Sequence, residues 1–185
     1  MSGMYLQAEE GNFEAIQTYI QEMTEDFDMQ VGSQIRLMNQ LANIRVTEVK
    51  GLFLEKMKKM QEKEIHWELE VLNPFEETRV RITDLCRCLG ILLDNAMEEV
   101  AGKGDGQIHI MISSQSGYTT LRVKNTLYSA VDFHRLGTLG YSTKGEDRGI
   151  GLNSYKKILE KYEKILSLTT IQDGYFIQEL KIQEG

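Results

Sequence analysis

The sequence predicts an α+β fold: a helical hairpin followed by a mixed, mostly antiparallel sheet covered by helices. Three observations carry this. Roughly the first sixty residues keep apolar positions at helical spacing. From Ile65 the period drops to two, as in half-buried strands. The strand-like runs that follow are mostly joined by tight glycine turns, which make neighbours antiparallel, and the helical stretches among them suit a sheet covered on one face.

The elements follow in order. Asn12 is placed to cap a helix in which Phe13, Ile16, Ile20 and Met23 share a side. A second stripe, Ile35, Met38, Ala42, Val46, Val49, Phe53, Met57 and Met60, keeps one side apolar for about seven turns. Gly32, or the residues just before it, is the expected bend of the hairpin. A long arm with a narrow apolar side packs against a second copy or against the following domain, and spacing alone does not choose. In IHWELEVL, residues 65–72, apolar and polar positions alternate, and Pro74 marks the turn after it. RVRI, residues 79–82, is expected as a short strand leading to Thr83 or Asp84 as helix cap. Leu85, Leu89, Leu92, Leu93, Ala96, Met97 and Val100 then line a helix ending at Gly102, with a side broad enough to lie on a sheet. GKGDGQ turns into QIHIMIS, and Gly117 turns into YTTLRVKN. Residues 126–148 have no convincing period, which suits a binding loop or lid. A helix from about Ile150 to Tyr162 and two strands joined at Asp173-Gly174 complete the chain.

Bulk properties exclude several classes. The net charge of −7 argues against a nucleic-acid partner, which wants a basic face. The longest apolar run, within LGILLDNAM, is too short to span a membrane. No secretory signal pattern opens the chain, so a cytoplasmic location is expected. Cys86 and Cys88 fall on nearly opposite sides of one helix and complete no zinc pattern, so they read as buried thiols.

One polar, glycine-punctuated run, YSTKGEDRGIGL at residues 141–152, asks for an explanation. The dinucleotide fingerprint fails, because Ser154 stands at the third glycine position and no strand precedes. The order of elements is also wrong for a Walker loop. What remains is a helix N-terminus, whose unpaired N–H groups and dipole favour an anion. Gly149 and Gly151 permit close approach. Ser142 and Thr143 offer hydroxyls, and Lys144 and Arg148 offer positive charge. A plain solvated loop is the alternative. Asn95 weighs against it: an amide among Leu92, Leu93 and Ala96 is costly unless it has a partner. It is either bonded to a neighbouring loop or a hard oxygen ligand for Mg²⁺, a role that a neutral amide fits when phosphates bring the negative charge. Glu98, one turn on, reads equally as a solvated carboxylate or as a group reaching the metal's outer shell.

ILLDNAMEEV, then VKNT, then YSTKGEDRGIGL, in this order and spacing, resembles the catalytic domain of sensor histidine kinases. These belong to the gyrase, Hsp90, histidine kinase and MutL ATPase superfamily. The closest likeness is to the peptide-quorum-sensing branch, the Agr-type and competence-type receptors, and it covers roughly residues 1–182. The resemblance implies a Bergerat-type α/β sandwich at residues 63–185 that binds ATP and Mg²⁺, with residues 1–62 a partial dimerisation region. It implies that Asn95 holds Mg²⁺ and that Asn125 replaces the aspartate that receives the adenine amino group. The glycines that usually follow that aspartate are absent. It makes residues 126–148 the ATP lid, with Thr143, Lys144 and Arg148 near the phosphates and Gly149 and Gly151 below them. Ile91 stands where many relatives carry a polar residue.

An acceptor histidine on the first long helix is missing. His66 and His109 fall in expected strands, and His134 falls in the lid. The resemblance thus implies a fragment starting after the phosphoacceptor, the cytosolic portion of a membrane receptor. Such a fragment presents Mg-ATP to a histidine elsewhere and does not phosphorylate itself. Its expected partners are a response regulator, through the missing segment, and a second copy, through the N-terminal helices. Two rivals stand beside it: an interaction module whose nucleotide site has decayed, and a stand-alone ATPase of the gyrase or MutL kind. The latter would want a carboxylate base near Ile91, and the sequence has none there.

Overall fold

The computed structural model describes residues 13–128 and 150–185. Its elements are α1 (Phe13–Ala42), α2 (Thr47–Glu62), β1 (His66–Val71), α3 (Ile82–Val100), β2 (Gln107–Gln115), β3 (Tyr118–Thr126), α4 (Ile150–Leu159), β4 (Ile165–Gln172) and β5 (Tyr175–Gln183). The chain forms two compact units, divided between Asn39 and Gln40. α2, which ends at Glu62, belongs to the second unit.

The second unit is built on one five-stranded sheet of order β1-β2-β3-β5-β4. Three of its four pairings are antiparallel; β1 and β2 are parallel, joined through α3. The β2–β3 and β4–β5 turns place Ser116-Gly117 and Asp173-Gly174 at positive φ. Two successive positive φ angles match the right-handed twist of the strands they join. One face of the sheet is covered by helices: Leu69, Val71, Ile108, Ile110, Ile112, Leu121, Val123, Leu180 and Ile182 are buried there. The other face is open and polar, with Glu68 beside His109, Arg122 paired to Glu179, and Lys124 over the Tyr175 ring.

Several expectations are corrected. α1 runs through Gly32 without a bend. The chain turns instead at residues 43–46, where Phe75 N–H donates to Asn43 O and Arg45 N–H donates to Phe75 O, both at 2.8 Å. These bonds take backbone groups that a continuing helix would have used. The seven-turn stripe is therefore two stripes. Val49, Phe53, Met57 and Met60 are buried, whereas Ile35 and Met38 are 54% and 70% exposed. RVRI is not a strand: Arg81 is the N-cap of α3, without a side-chain cap bond, in place of Thr83 or Asp84. Asp84 is otherwise engaged, accepting from the Tyr162 hydroxyl at 2.7 Å. α3 ends at Val100 and α4 at Leu159, each a little before its expected stop. The Asn12 cap lies outside the described residues.

Candidate functional site

Helix α3 positions the site, and its sides do different things. Leu85, Leu89, Leu92, Leu93, Ala96, Met97 and Val100 are buried against the core. Gly90 and Asp94, one turn apart, face α2: Leu52 Cδ1 lies 4.0 Å from where a Cβ on Gly90 would stand, and Lys56 Nζ is 2.6 Å from Asp94 Oδ1. Asp84 and Ile91 face α4 and the turn after it. Tyr162 and Lys161 bond Asp84, while Ile91 Cγ2 is 3.5 Å from where a Cβ on Gly151 would stand.

These contacts fix a direction. α4 starts beside Ile91 and its C-terminal turn leads back toward Asp84, so α3 and α4 run antiparallel. Asn95 is one turn past Ile91 on nearly the same side, about 6 Å further along the axis. It therefore stands ahead of the N-terminus of α4, where unpaired backbone N–H groups concentrate positive potential. Asn95 is half-buried, and its amide has no side-chain partner among the described residues.

Asn125 is placed by the sheet. It lies near the end of β3 on the helix-covered face, in register with Ile108 and Phe176, and is 4% exposed. Its Nδ2 donates to Thr126 O at 2.8 Å, which uses one of the two amide N–H donors and fixes the amide with Oδ1 able to accept. The donor set fits the implied groups: a neutral, hard amide oxygen for Mg²⁺, a helix N-terminus for the phosphates that would carry the metal, and a buried acceptor for an amino group.

The sequence reading missed Glu99. This residue is buried, and its Oε1 accepts the Tyr128 N–H at 3.0 Å, just where β3 ends. The Tyr128 hydroxyl donates to Asp105, and Lys103 Nζ lies 5.3 Å from its ring centroid. The hydrogen bond to Asp105 pushes the Tyr128 phenol up to about 12. A carboxylate flanked by Ala96 and Val100 on an apolar side was the available signal. Glu98, singled out instead, is exposed. Gly151 lies beside Ile91 at the start of α4, where a Cβ would meet Ile91 Cγ2 at an ordinary contact distance. Ser142, Thr143, Lys144, Arg148, Gly149 and His134 lie outside the described residues. His66 is exposed, and His109 Nδ1 is 3.2 Å from Glu68 Oε2 on the open sheet face. Cys88 is buried, which pushes its thiol up to about 12; Cys86, expected to be buried too, is only partly covered, and that burial raises its thiol.

The sequence model of the GHKL domain family matches residues 80–183, from the cap of α3 to the end of β5. The chain belongs to the GHKL domain family. No curated protein matches it significantly. Among solved structures, the nucleotide-free catalytic domain of histidine kinase ThkA superposes with a TM-score of 0.65 at 17% identity, covering 76% of this chain and 93% of that one. The histidine kinase AdeS of Acinetobacter baumannii gives 0.60 at 15% identity over 100% of this chain and 93% of its own. ThkA in complex with the response regulator TrrA gives 0.63 at 15% identity, with 100% and 56% covered. At these identities the likeness establishes the fold alone, the one these histidine kinase catalytic domains have. Among the described residues, no helix is long and apolar enough to cross a membrane.

Proposed function

We propose that this GHKL domain binds Mg-ATP and presents it for phosphoryl transfer to a histidine outside the chain. The observation that carries the reading is Asn95, an amide with no side-chain partner among the described residues, held ahead of the N-terminus of α4 by the packing of Ile91 beside Gly151. Bound Mg²⁺ would neutralise phosphate charge. The chain's own part is positioning: Asn95 offers its oxygen to the metal, and Asn125 Oδ1 accepts from the adenine amino group. Phosphoryl transfer depends chiefly on such placement and charge neutralisation. The sequence motifs support membership in the peptide-quorum-sensing branch, a cytoplasmic position below a receptor, a response regulator as downstream partner, and a second copy across the N-terminal helices. Thr143, Lys144, Arg148, Gly149 and Gly151 complete the phosphate side of the proposal, and Glu98 is its outer carboxylate.

Calorimetric titration with ATP, with and without Mg²⁺, tests this on the wild type and on Asn95→Ala. Mg²⁺-dependent binding that the substitution abolishes is expected. A second reading, an interaction module with a decayed nucleotide site, draws support from Asn125 standing in place of aspartate and from the apolar Ile91. Absence of ATP and ADP binding at millimolar concentration would establish that reading instead.

A further inference from the structure

α2 buries five side chains, Val49, Phe53, Lys56, Met57 and Met60, and one of them is charged. Lysine is seldom buried without a partner, and a well-packed apolar residue would usually serve stability as well or better. Lys56 is 6% exposed, and its Nζ sits 2.6 Å from Asp94 Oδ1. The neighbouring Lys59–Glu55 pair has the same separation, but both its side chains are about half exposed, and such surface pairs contribute little. Lys56 thus carries its charge into the packed seam between α2 and α3, to reach the residue next to Asn95.

The seam explains why an ion pair is needed there. One turn earlier Leu52 lies over Gly90, its Cδ1 4.0 Å from where a Cβ on Gly90 would stand, so α3 offers no side chain at that position for Leu52 to lock against. A smooth contact of this kind resists separation but does little to resist rotation or sliding. Lys56–Asp94 adds a directional bond four residues further along both helices. Successive residues on a helix are about 100° apart, so fixing Asp94 toward α2 fixes Asn95 toward α4. We propose that Lys56 is a positioning residue: through Asp94 it sets the rotation of α3 that keeps Asn95 ahead of the N-terminus of α4. This rests on the nucleotide reading for its consequence, but not for its geometry.

The test compares the wild type with Lys56→Met, Asp94→Asn and the double variant, using Lys58→Met on the exposed side of α2 as control. The side-chain amide resonances of Asn95, assigned through their loss in Asn95→Ala, report its placement without any ligand. Both single variants are expected to move these resonances, and Lys58→Met to leave them alone. Mg-ATP affinity should fall roughly tenfold in each single variant, a usual size for contacting pairs, and no further in the double variant. Asp94 is half exposed, so Asp94→Asn keeps the protein folded even where Lys56→Met does not. Asn95 resonances that stay in place in folded Asp94→Asn, or additive losses in the double variant, would overturn the proposal. A wild type that binds no nucleotide would overturn the functional reading instead, and the resonances would still decide the role of Lys56.

Discussion

Ile35 and Met38 belong to the same sequence stripe as Phe53 and Met60, yet the two halves have opposite fates. The later half is buried completely or nearly so, while Ile35 and Met38 are 54% and 70% exposed. Spacing reports that a helix has an apolar side; it does not report what covers that side. The division between them is made by a few backbone hydrogen bonds at residues 43–46, which end one helix and lay the next on α3.

Substitutions in the two halves sharpen this contrast. Phe53→Ala removes a fully buried ring from the α2 seam and should cost about 3–5 kcal/mol in denaturant melts. A loss below about 1 kcal/mol would mean that α2 is not part of the core. Gly106→Ala comes next. A Cβ there would lie 2.7 Å from Val100 Cβ and 3.1 Å from Val100 O, so the α3–β2 junction must shift, at about 1–3 kcal/mol. Gly104→Ala, which meets open space, is the matched control.

Tyr162→Phe probes the α3–α4 contact by pH. The Tyr162 hydroxyl, helped by Lys161, holds the Asp84 carboxyl below its ordinary 3.8, against the opposing effect of burial. A lowered folded-state pKa gives stability that is present above the unfolded value and lost as pH falls through the folded one. The difference between wild type and Tyr162→Phe should therefore persist at neutral pH and narrow in acid below about 4. A pH-independent difference would assign the effect to packing. The smallest effect is expected where the stripe is uncovered: Ile35→Ser and Met38→Ser should each change monomer stability by less than about 0.5 kcal/mol. A larger loss that grows with protein concentration would show that a second copy covers these residues.

How far the sequence could be read follows from the same physics. The periods of β1 to β5, the Gly117 and Asp173-Gly174 turns and the apolar side of α3 rest on local chemistry, and the structure has these. Asn95 was legible because an amide among leucines is locally costly. The parallel β1–β2 pairing was not, because register between segments some forty residues apart depends on how α3 packs. RVRI alternates like a strand, but Arg79 N–H donates to the Glu184 side chain and Arg81 caps α3. Lys56 looked like one more surface lysine, since its burial is decided by α3 and not by its own helix. Among the glycines of GKGDGQ, only the folded junction shows that Gly106 is the crowded one.

The parallel β1–β2 pair also bears on how the chain folds. β2 with β3, and β4 with β5, close through short turns and can pair early. β1 must wait until α3 has formed and crossed the sheet, because a parallel neighbour cannot be reached by a hairpin. During that wait the edge of β2, rich in isoleucine, stands open to any other chain that offers a strand. Pulse-labelled hydrogen exchange should find the β1 amides protected last. The helix that carries Asn95 would then also be the step on which protection from aggregation depends.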